Sequence, residues 1–352
     1  MAGIPGELEI DWAKATEQVK QQARALGFDK VGIASAANPP DWAGLRAWLA
    51  AGMAADMAWM ADPRRQNLEL VLPGVQSLIC VALNYYTPTP HSRDPAKGKI
   101  SRYAWGRDYH RVLGRRLKQL HLWMQAQFPN YQGRFYVDTG PVAEKPWAMQ
   151  AGLGWIGKNS LLLTREYGSW VFLGVILTTL KLVPDRPHTA HCGTCTRCLE
   201  ACPTQAIVSP GVVDSRRCIA YHTLESHAER IPAEIAQNLH NWVAGCDICQ
   251  EVCPWNQRFA RPSPLPDFQP YPWNVAPDLQ ELARIGDEEF DRRFPASALR
   301  RLKAHRLRRN AQAALHGDAD SAVGEPGLDR HRVEPLEQPA QLPSATLSGR
   351  SE

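Results

Sequence analysis

No long hydrophobic run occurs in these 352 residues. The longest, VFLGVIL, is about a third of the roughly 20 residues that a membrane-spanning helix needs. The N-terminus, MAGIPGELEIDW, is acidic and has neither the basic nor the apolar region of a signal peptide, and a twin-arginine export signal is missing. Membrane and secreted classes are excluded, and a cytoplasmic location is expected. Excess charge of one sign is also missing. With 40 Lys and Arg against 36 Asp and Glu, the formal charge is +4, so a globally basic nucleic-acid binder is not indicated. No repeat array is visible. Cysteine is almost absent outside one segment: only Cys80, in the apolar run SLICVAL, lies elsewhere, and it reads as core packing.

The remaining pattern is that of a globular chain, 44% hydrophobic and 22% charged. Residues 8–26 predict an amphipathic helix closed by Gly27 and followed by a strand, KVGIA. Asp41 is placed as the N-cap of a helix carrying Trp42, Leu45, Trp48 and Leu49, with Met53, Met57 and Met60 continuing at helical spacing as core or pocket lining. Strands are predicted at 78–83, 133–137 and 170–177, and a helix at 109–127. The fold class expected is mixed, α+β or α/β. Residues 1–185 form an α/β domain, 186–260 a cysteine-rich module, 261–317 a proline-rich connector with a basic helical segment, and 318–352 a disordered tail.

Eight of the nine cysteines fall between Cys192 and Cys253. In a chain with no export signal, that clustering favours metal or iron–sulfur ligation over disulfides. The run CGTCTRCLEACP holds Cys192, Cys195, Cys198 and Cys202 at the C-x2-C-x2-C-x3-C-P spacing of bacterial ferredoxins, in which the fourth thiolate serves the other cluster. A short loop can wrap three thiolates around a cube while the fourth, on the following helix, faces a neighbour. The second set is Cys218, then Cys246, Cys249 and Cys253 in CDICQEVCPW. The spacing predicts two 4Fe–4S clusters with crossed ligands: Cys192, Cys195, Cys198 and Cys253 for the first, Cys202, Cys218, Cys246 and Cys249 for the second. Two zinc sites are the competing assignment. The repeated C-x2-C-x3-C-P ending favours the cubes.

Residues 1–191 precede the first of these cysteines, far more chain than an electron carrier needs. The stretch 136–163 is the candidate site. Asp138 is placed at a strand end, where open α/β sheets generally bind ligands. The turn GLGWIGKNS permits close backbone approach to a ligand and offers Lys158, Asn159 and Ser160 as donors. Its G-x-G-x-x-G lacks the acidic residue of a dinucleotide site. The base-off cobalamin signature D-x-H-x-x-G is met at Asp108 and His110 only with one residue too many, so His110 reads as a hydrogen-bonding residue rather than a lower metal ligand.

The combination ISRYAWGRDYH, YVDTGP, GLGWIGKNSLL, CGTCTRCLEACPTQAI and CDICQEVCPWN resembles the epoxyqueuosine reductases, over about residues 10–316. The resemblance implies a cobalamin-binding N-terminal domain beside a ferredoxin-like two-cluster module and a C-terminal helical segment. It also implies reduction of epoxyqueuosine to queuosine at the tRNA wobble position. The epoxide oxygen leaves as water, with electrons passed from two 4Fe–4S clusters to cobalamin and a proton from Asp138. Such a donor needs an elevated pKa, which burial would supply. Tyr103, His110, Asp138, Lys158, Asn159 and Ser160 match positions near the corrinoid. Kinship with reductive dehalogenases is implied too, and a corrinoid iron–sulfur reductase of a small molecule is the alternative function. An electron donor is required that no motif identifies, and nothing demands more than a monomer.

A tRNA substrate calls for a basic surface. Residues 291–310 carry eight Lys or Arg against one acid, and Arg300, Arg301, Lys303, Arg306, Arg308 and Arg309, with Arg292 and Arg293, are the candidates for phosphate neutralisation. The longer helical-repeat extension that some members of the resembled family carry has no counterpart in the pattern beyond about Asp318.

Overall fold

The computed structural model describes residues 10–321. Helix α1 (Trp12–Ala25) begins at Asp11, whose carboxylate accepts the Lys14 N–H at 3.0 Å, and it buries Thr16, Val19 and Ala23. The first residues of the predicted 8–26 helix lie outside the described residues. Helix α2 (Ala43–Ala50) starts where Asp41 accepts the Ala43 N–H at 2.8 Å. It does not run on through the methionines. Gly52 (φ 67°) and Ala55 (φ 54°) take left-handed conformations that a helix cannot contain, so Met53 lies on a turn, and Met57 and Met60 lie at the start of and within a separate short 3-10 helix, Ala58–Ala61. Helix α3 (Tyr109–Gln127) matches its predicted limits and buries Val112, Leu113, Leu117, Leu120 and Met124. Helix α4 (Glu144–Gln150) buries Trp147 and Ala148.

Four strands, β1 (Lys30–Ser35), β2 (Ser77–Asn84), β3 (Gly133–Tyr136) and β4 (Val171–Thr178), form one sheet in the order β1-β2-β4-β3. Every neighbouring pair is antiparallel, with Ser35 opposite Ser77, Asn84 opposite Val171 and Tyr136 opposite Val175. Helix–strand alternation in sequence therefore does not produce a parallel sheet here, and the architecture is α+β. Central strand β2 is buried along its whole length because both faces are covered. Ile79, Val81 and Leu83 point to the layer holding α1 and α3; Leu78, Cys80 and Ala82 point to the layer holding α4. Cys80 is fully buried, as its apolar run predicts.

A further core lies under the C-terminal helices. Leu279, Leu282, Phe290, Phe294, Leu299, Leu302 and Leu307 close on Trp105, Trp242 and Val243. Most of these helices are single turns, unstable in isolation. Each buried large side chain contributes roughly 1.5–3 kcal/mol, so tertiary packing holds them. The strand Trp242–Ala244 pairs in parallel with Lys99–Ile100, which ties the cysteine-rich segment to the chain just before Tyr103. The last helix, α5 (Lys303–Ser321), extends into the stretch read as tail; the rest of that stretch lies outside the described residues. The proline-rich connector packs rather than merely crossing the surface: Phe268 is buried against Phe172, ring centres 5.1 Å apart. No helix among the described residues is long and apolar enough to cross a membrane.

Candidate active site and cluster sites

The eight clustered cysteines line two cavities. Cys192, Cys195, Cys198 and Cys253 share one of 210 Å³ with Lys158, Asn159 and Trp255. Cys202, Cys218, Cys246 and Cys249 open on a larger cleft of 570 Å³. Cys253 thus sits with the first three cysteines and Cys202 with the later ones, because each ends a turn that carries it across to the other set. Among the described residues no three His, Cys, Asp or Glu converge on a single metal-ion position. Four thiols spaced around a cavity fit a cluster better than a lone zinc. Backbone N–H groups already point at sulfur: Ala206 donates to Cys202 Sγ at 3.2 Å, and the N–H groups of Ala220 and Tyr221 face Cys218. Such donors favour the thiolate form and tune cluster potentials. Beside the first set, the buried Trp155 indole N–H has no acceptor among the described residues, which fits an occupant that brings acceptor atoms.

The second loop is anchored by Asp247, wholly buried between Cys246 and Cys249. Its carboxylate accepts the Arg102 N–H at 2.8 Å and the Ser101 hydroxyl, and His91 Nε2 lies 3.2 Å away. Residue type alone did not single this aspartate out. Its signal was its place inside a cysteine pair, where a carboxylate is out of keeping unless paired.

Asp138 follows the end of β3 in a left-handed conformation, φ 59°. Because the sheet is antiparallel, the rule for open parallel sheets does not account for its position. What holds it is local: Glu144 Oε1 accepts the Asp138 N–H at 2.8 Å. His110, in the first turn of α3, bridges two carboxylates, with Nδ1 2.7 Å from Asp108 and Nε2 3.4 Å from Asp138. Tyr109 stacks on Phe172 at 4.3 Å and turns its edge to Tyr103. Arg301, paired with Glu225, adds positive charge toward Asp138.

These neighbours decide protonation. Burial raises the Asp138 carboxyl, but the hydrogen bond and charge of His110, with smaller contributions from Tyr109 and Arg301, outweigh it and leave the group below its ordinary range. The elevated value expected from burial is thus reversed. Burial lowers His110, yet Asp108 and Asp138 together raise it to about 9. The proton of the pair is on the imidazole. Glu144 is pushed up to about 8, by burial first and by the Asp138 charge second. Sequence reasoning missed Glu144 and Tyr109; an acid six residues after Asp138 and an aromatic beside His110 were the available signals.

The other expected contacts divide. His110 adjoins Asp138, and Tyr103 meets the Tyr109 ring next to His110. Lys158 instead turns to the first cysteine loop, donating to Gly193 O at 2.8 Å and Cys195 O at 3.0 Å. Asn159 lines both cavities, and Ser160 donates to Gly211 O at 2.6 Å on the wall of the larger cleft. The close approach that the glycines permit is made by the chain itself: a Cβ at Gly154 would lie 2.0 Å from Leu163 O, and one at Gly152 would lie 2.6 Å from Arg186 O. The larger cleft is walled by Leu45, Trp48, Met57, Met60, Pro146 and Val212, with Lys145 as a cation on its wall. An apolar cleft of this size, open to four thiols, fits a large macrocycle that would take electrons from a cluster those thiols would hold.

The basic segment is largely turned inward. Arg306 is buried and donates to Leu302 O at 3.1 Å and Leu224 O at 3.1 Å. Arg308 donates to Ile285 O at 2.6 Å, and Arg309 to His222 O at 2.7 Å and Ser226 O at 3.1 Å. These three tie helices to loops; Arg306 is buried, and Arg308 and Arg309 are partly exposed with donors already engaged by carbonyls. Carbonyl oxygens left over at short helix and loop ends recruited them. Arg293 likewise pairs with Glu281, whereas Arg292, Arg300 and Lys303 are exposed, Arg300 beside Asp291.

Comparison with known proteins adds an independent finding. The family model described as epoxyqueuosine reductase QueG, DUF1730, matches residues 65–139, and that of a 4Fe-4S double cluster binding domain matches residues 191–256. The chain is 63% identical to an epoxyqueuosine reductase of Synechocystis sp. over 271 residues, 77% of this chain and 94% of the relative. It is 55% identical to that of Gloeobacter violaceus over 315 residues, 88% of this chain and 98% of the relative. A crystal structure of an epoxyqueuosine reductase with an epoxyqueuosine-modified tRNA-Tyr stem loop superposes with a TM-score of 0.78 at 30% identity, covering 88% of this chain and 83% of the other. The Bacillus subtilis enzyme, seen with its catalytic aspartate loop swung out of the active site, gives the same TM-score and coverage at 29% identity.

Proposed function

The chain belongs to the epoxyqueuosine reductase family, and from that premise we propose how its own residues divide the work. The enzyme is an oxidoreductase that converts epoxyqueuosine to queuosine in tRNA, with cobalamin and two 4Fe–4S clusters as cofactors. Two electrons and two protons remove the epoxide oxygen as water. When bound, the clusters supply one-electron transfer and the corrinoid a strongly reducing cobalt centre.

Cys192, Cys195, Cys198 and Cys253 hold the first cluster; Cys202, Cys218, Cys246 and Cys249 hold the second. The cleft that the second set opens on would hold the corrinoid, with Asn159 and Ser160 on its wall, while Tyr103, His110 and Asp138 would serve the substrate. Asp138 delivers the proton. Its own carboxyl is ionised in the resting pair, so His110, protonated to about pH 9, is the reservoir that recharges it. Glu144 fixes the backbone of Asp138, and Asp108 holds the His110 ring. Arg300 and Lys303, with Arg292, are the exposed cations that meet phosphates, while the modified base enters splayed out of its loop. We further read the protein as a cytoplasmic monomer, since its substrate is tRNA and one chain contains every group named.

The observation that carries this reading is the cleft itself, which places one set of four thiols within a single cavity with Lys145, Asn159 and Ser160. The test is anaerobic reconstitution followed by metal analysis and nucleoside analysis of epoxyqueuosine-containing tRNA. About eight irons and one cobalt per chain with queuosine formed are expected. Full iron with no retained cobalt overturns it. The alternative, reduction of a small molecule, predicts retained cobalt with no change in the tRNA nucleoside.

A further inference from the structure

The two cysteine sets are not equally placed. The first lies under a loop whose Gly193, Thr194, Thr196 and Arg197 are exposed, whereas the second opens on the larger cleft. Asn159 lines both cavities, so the sets are neighbours; the second borders the cleft read above as the corrinoid site, which leaves the first as the set remote from it. Electrons from outside therefore enter at the first set. The surface over that entry is basic although the chain as a whole is nearly balanced.

Four cations from four separate segments surround it. Lys158 crosses the loop to Gly193 and Cys195. Arg165 reaches His191 Nε2 at 3.1 Å, next to Cys192. Arg197 stands exposed between Cys195 and Cys198, and Arg258 is exposed on the helix that follows Cys253. None of the four is paired with a carboxylate among the described residues. The acids that could offset them are engaged elsewhere: Glu166 with Lys30 at 2.5 Å, Asp185 with Lys20 at 2.6 Å, Glu251 with Arg102 at 2.6 Å. Glu200, which accepts from the Thr196 hydroxyl, is the acid left within the loop.

We propose that this surface is the docking site of a small acidic electron-carrier protein, guided onto the first cysteine set by Lys158, Arg165, Arg197 and Arg258. The proposal rests on the reading above, that this set holds an iron–sulfur cluster. Electron-transfer complexes are small and short-lived, so unpaired rim charges govern their encounter rate more than their affinity. Each encounter oxidises the carrier by one electron and reduces the first cluster by one. Two encounters supply the two electrons that, with two protons, release one oxygen as water.

The experiment uses the iron-loaded enzyme and a pre-reduced acidic 2Fe–2S ferredoxin, following cluster absorbance by stopped flow at several salt concentrations. Reduced methyl viologen, a small cation, serves as the control reductant. The wild-type rate with ferredoxin should fall steeply as salt rises. The Arg165→Glu/Arg197→Glu/Arg258→Glu variant should lose about tenfold of that rate, as expected when steering charges are reversed. Reduction by viologen should not slow. A salt-independent wild-type rate overturns the proposal however the variant behaves. So does an unchanged ferredoxin rate in the triple variant at full iron content. If that variant fails to load iron, the three single reversals replace it, each expected to slow the ferredoxin reaction about twofold, and three unchanged rates overturn the proposal equally. Normal ferredoxin-driven cluster reduction with no queuosine formed would count against the tRNA reaction and leave the docking site standing.

Discussion

His110 Nε2 and Asp138 Oδ2 lie 3.4 Å apart, joining the first turn of α3 to the turn after β3. Of the two, the imidazole holds the proton at neutral pH. An acid catalyst that is ionised at rest must be recharged, and this pairing supplies the source. The expectation of a carboxyl raised by burial failed because a cationic partner outweighs partial burial: the Asp138 side chain is still 48% exposed.

Replacing Asp138 by Asn should leave iron content and cluster spectra intact while turnover falls by about 10²–10⁴, the usual contribution of a positioned acid. Full activity in this variant would remove the assignment.

Glu144→Ala should lower turnover about tenfold, since the hydrogen bond to the left-handed Asp138 backbone is lost at a cost near 1.5 kcal/mol. Glu144→Gln keeps an acceptor oxygen and should be much milder. Equal losses in the two variants would show that the hydrogen bond to the Asp138 backbone is not what matters.

The raised pKa of His110 makes the pair a pH-dependent contribution to stability. Its folded value, about 9, exceeds the ordinary 6.5. The contribution is therefore fully present below 6.5, while Asp138 stays ionised, and is lost as pH rises through about 9. Melting temperatures of the metal-free wild type and His110→Gln should differ most in mildly acidic buffer and converge above pH 9. A constant difference across that range contradicts the sign.

Cys202→Ser should empty the second set and spare the first, read as loss of about half the iron with one cluster signal retained by electron paramagnetic resonance. Loss of the signal belonging to Cys192, Cys195 and Cys198 would reverse the crossed ligand assignment.

Among the basic residues, Arg306→Ala should destabilise by about 2–3 kcal/mol, because buried carbonyls lose their charged donor. Lys303→Ala should leave stability within about 0.5 kcal/mol and instead reduce the salt dependence of tRNA binding by about one phosphate contact. Thermal melts and binding at graded salt separate the two roles.

Much of this protein was legible in its residues. Local spacing determined the cysteine sets, since three thiolates around one loop are a matter of chain geometry over a dozen residues. Apolar period and caps located α1, α3 and the central strands, because alternation and N-capping act within a few residues. The end of α2 was marked by Gly52, a signal that the methionine spacing overrode, whereas left-handed Ala55 carries no sequence mark.

Sequence by itself could not settle strand direction, and it placed the sheet's ligand end by a rule that an antiparallel sheet does not obey. Nor could it say that Arg306, Arg308 and Arg309 face inward while Arg301 approaches Asp138, because a run of charge reads alike whichever side of a helix meets carbonyls. The protonation of Asp138 was decided only in three dimensions. It depends on a histidine 28 residues earlier in the chain, and electrostatic coupling follows distance in space rather than distance in sequence.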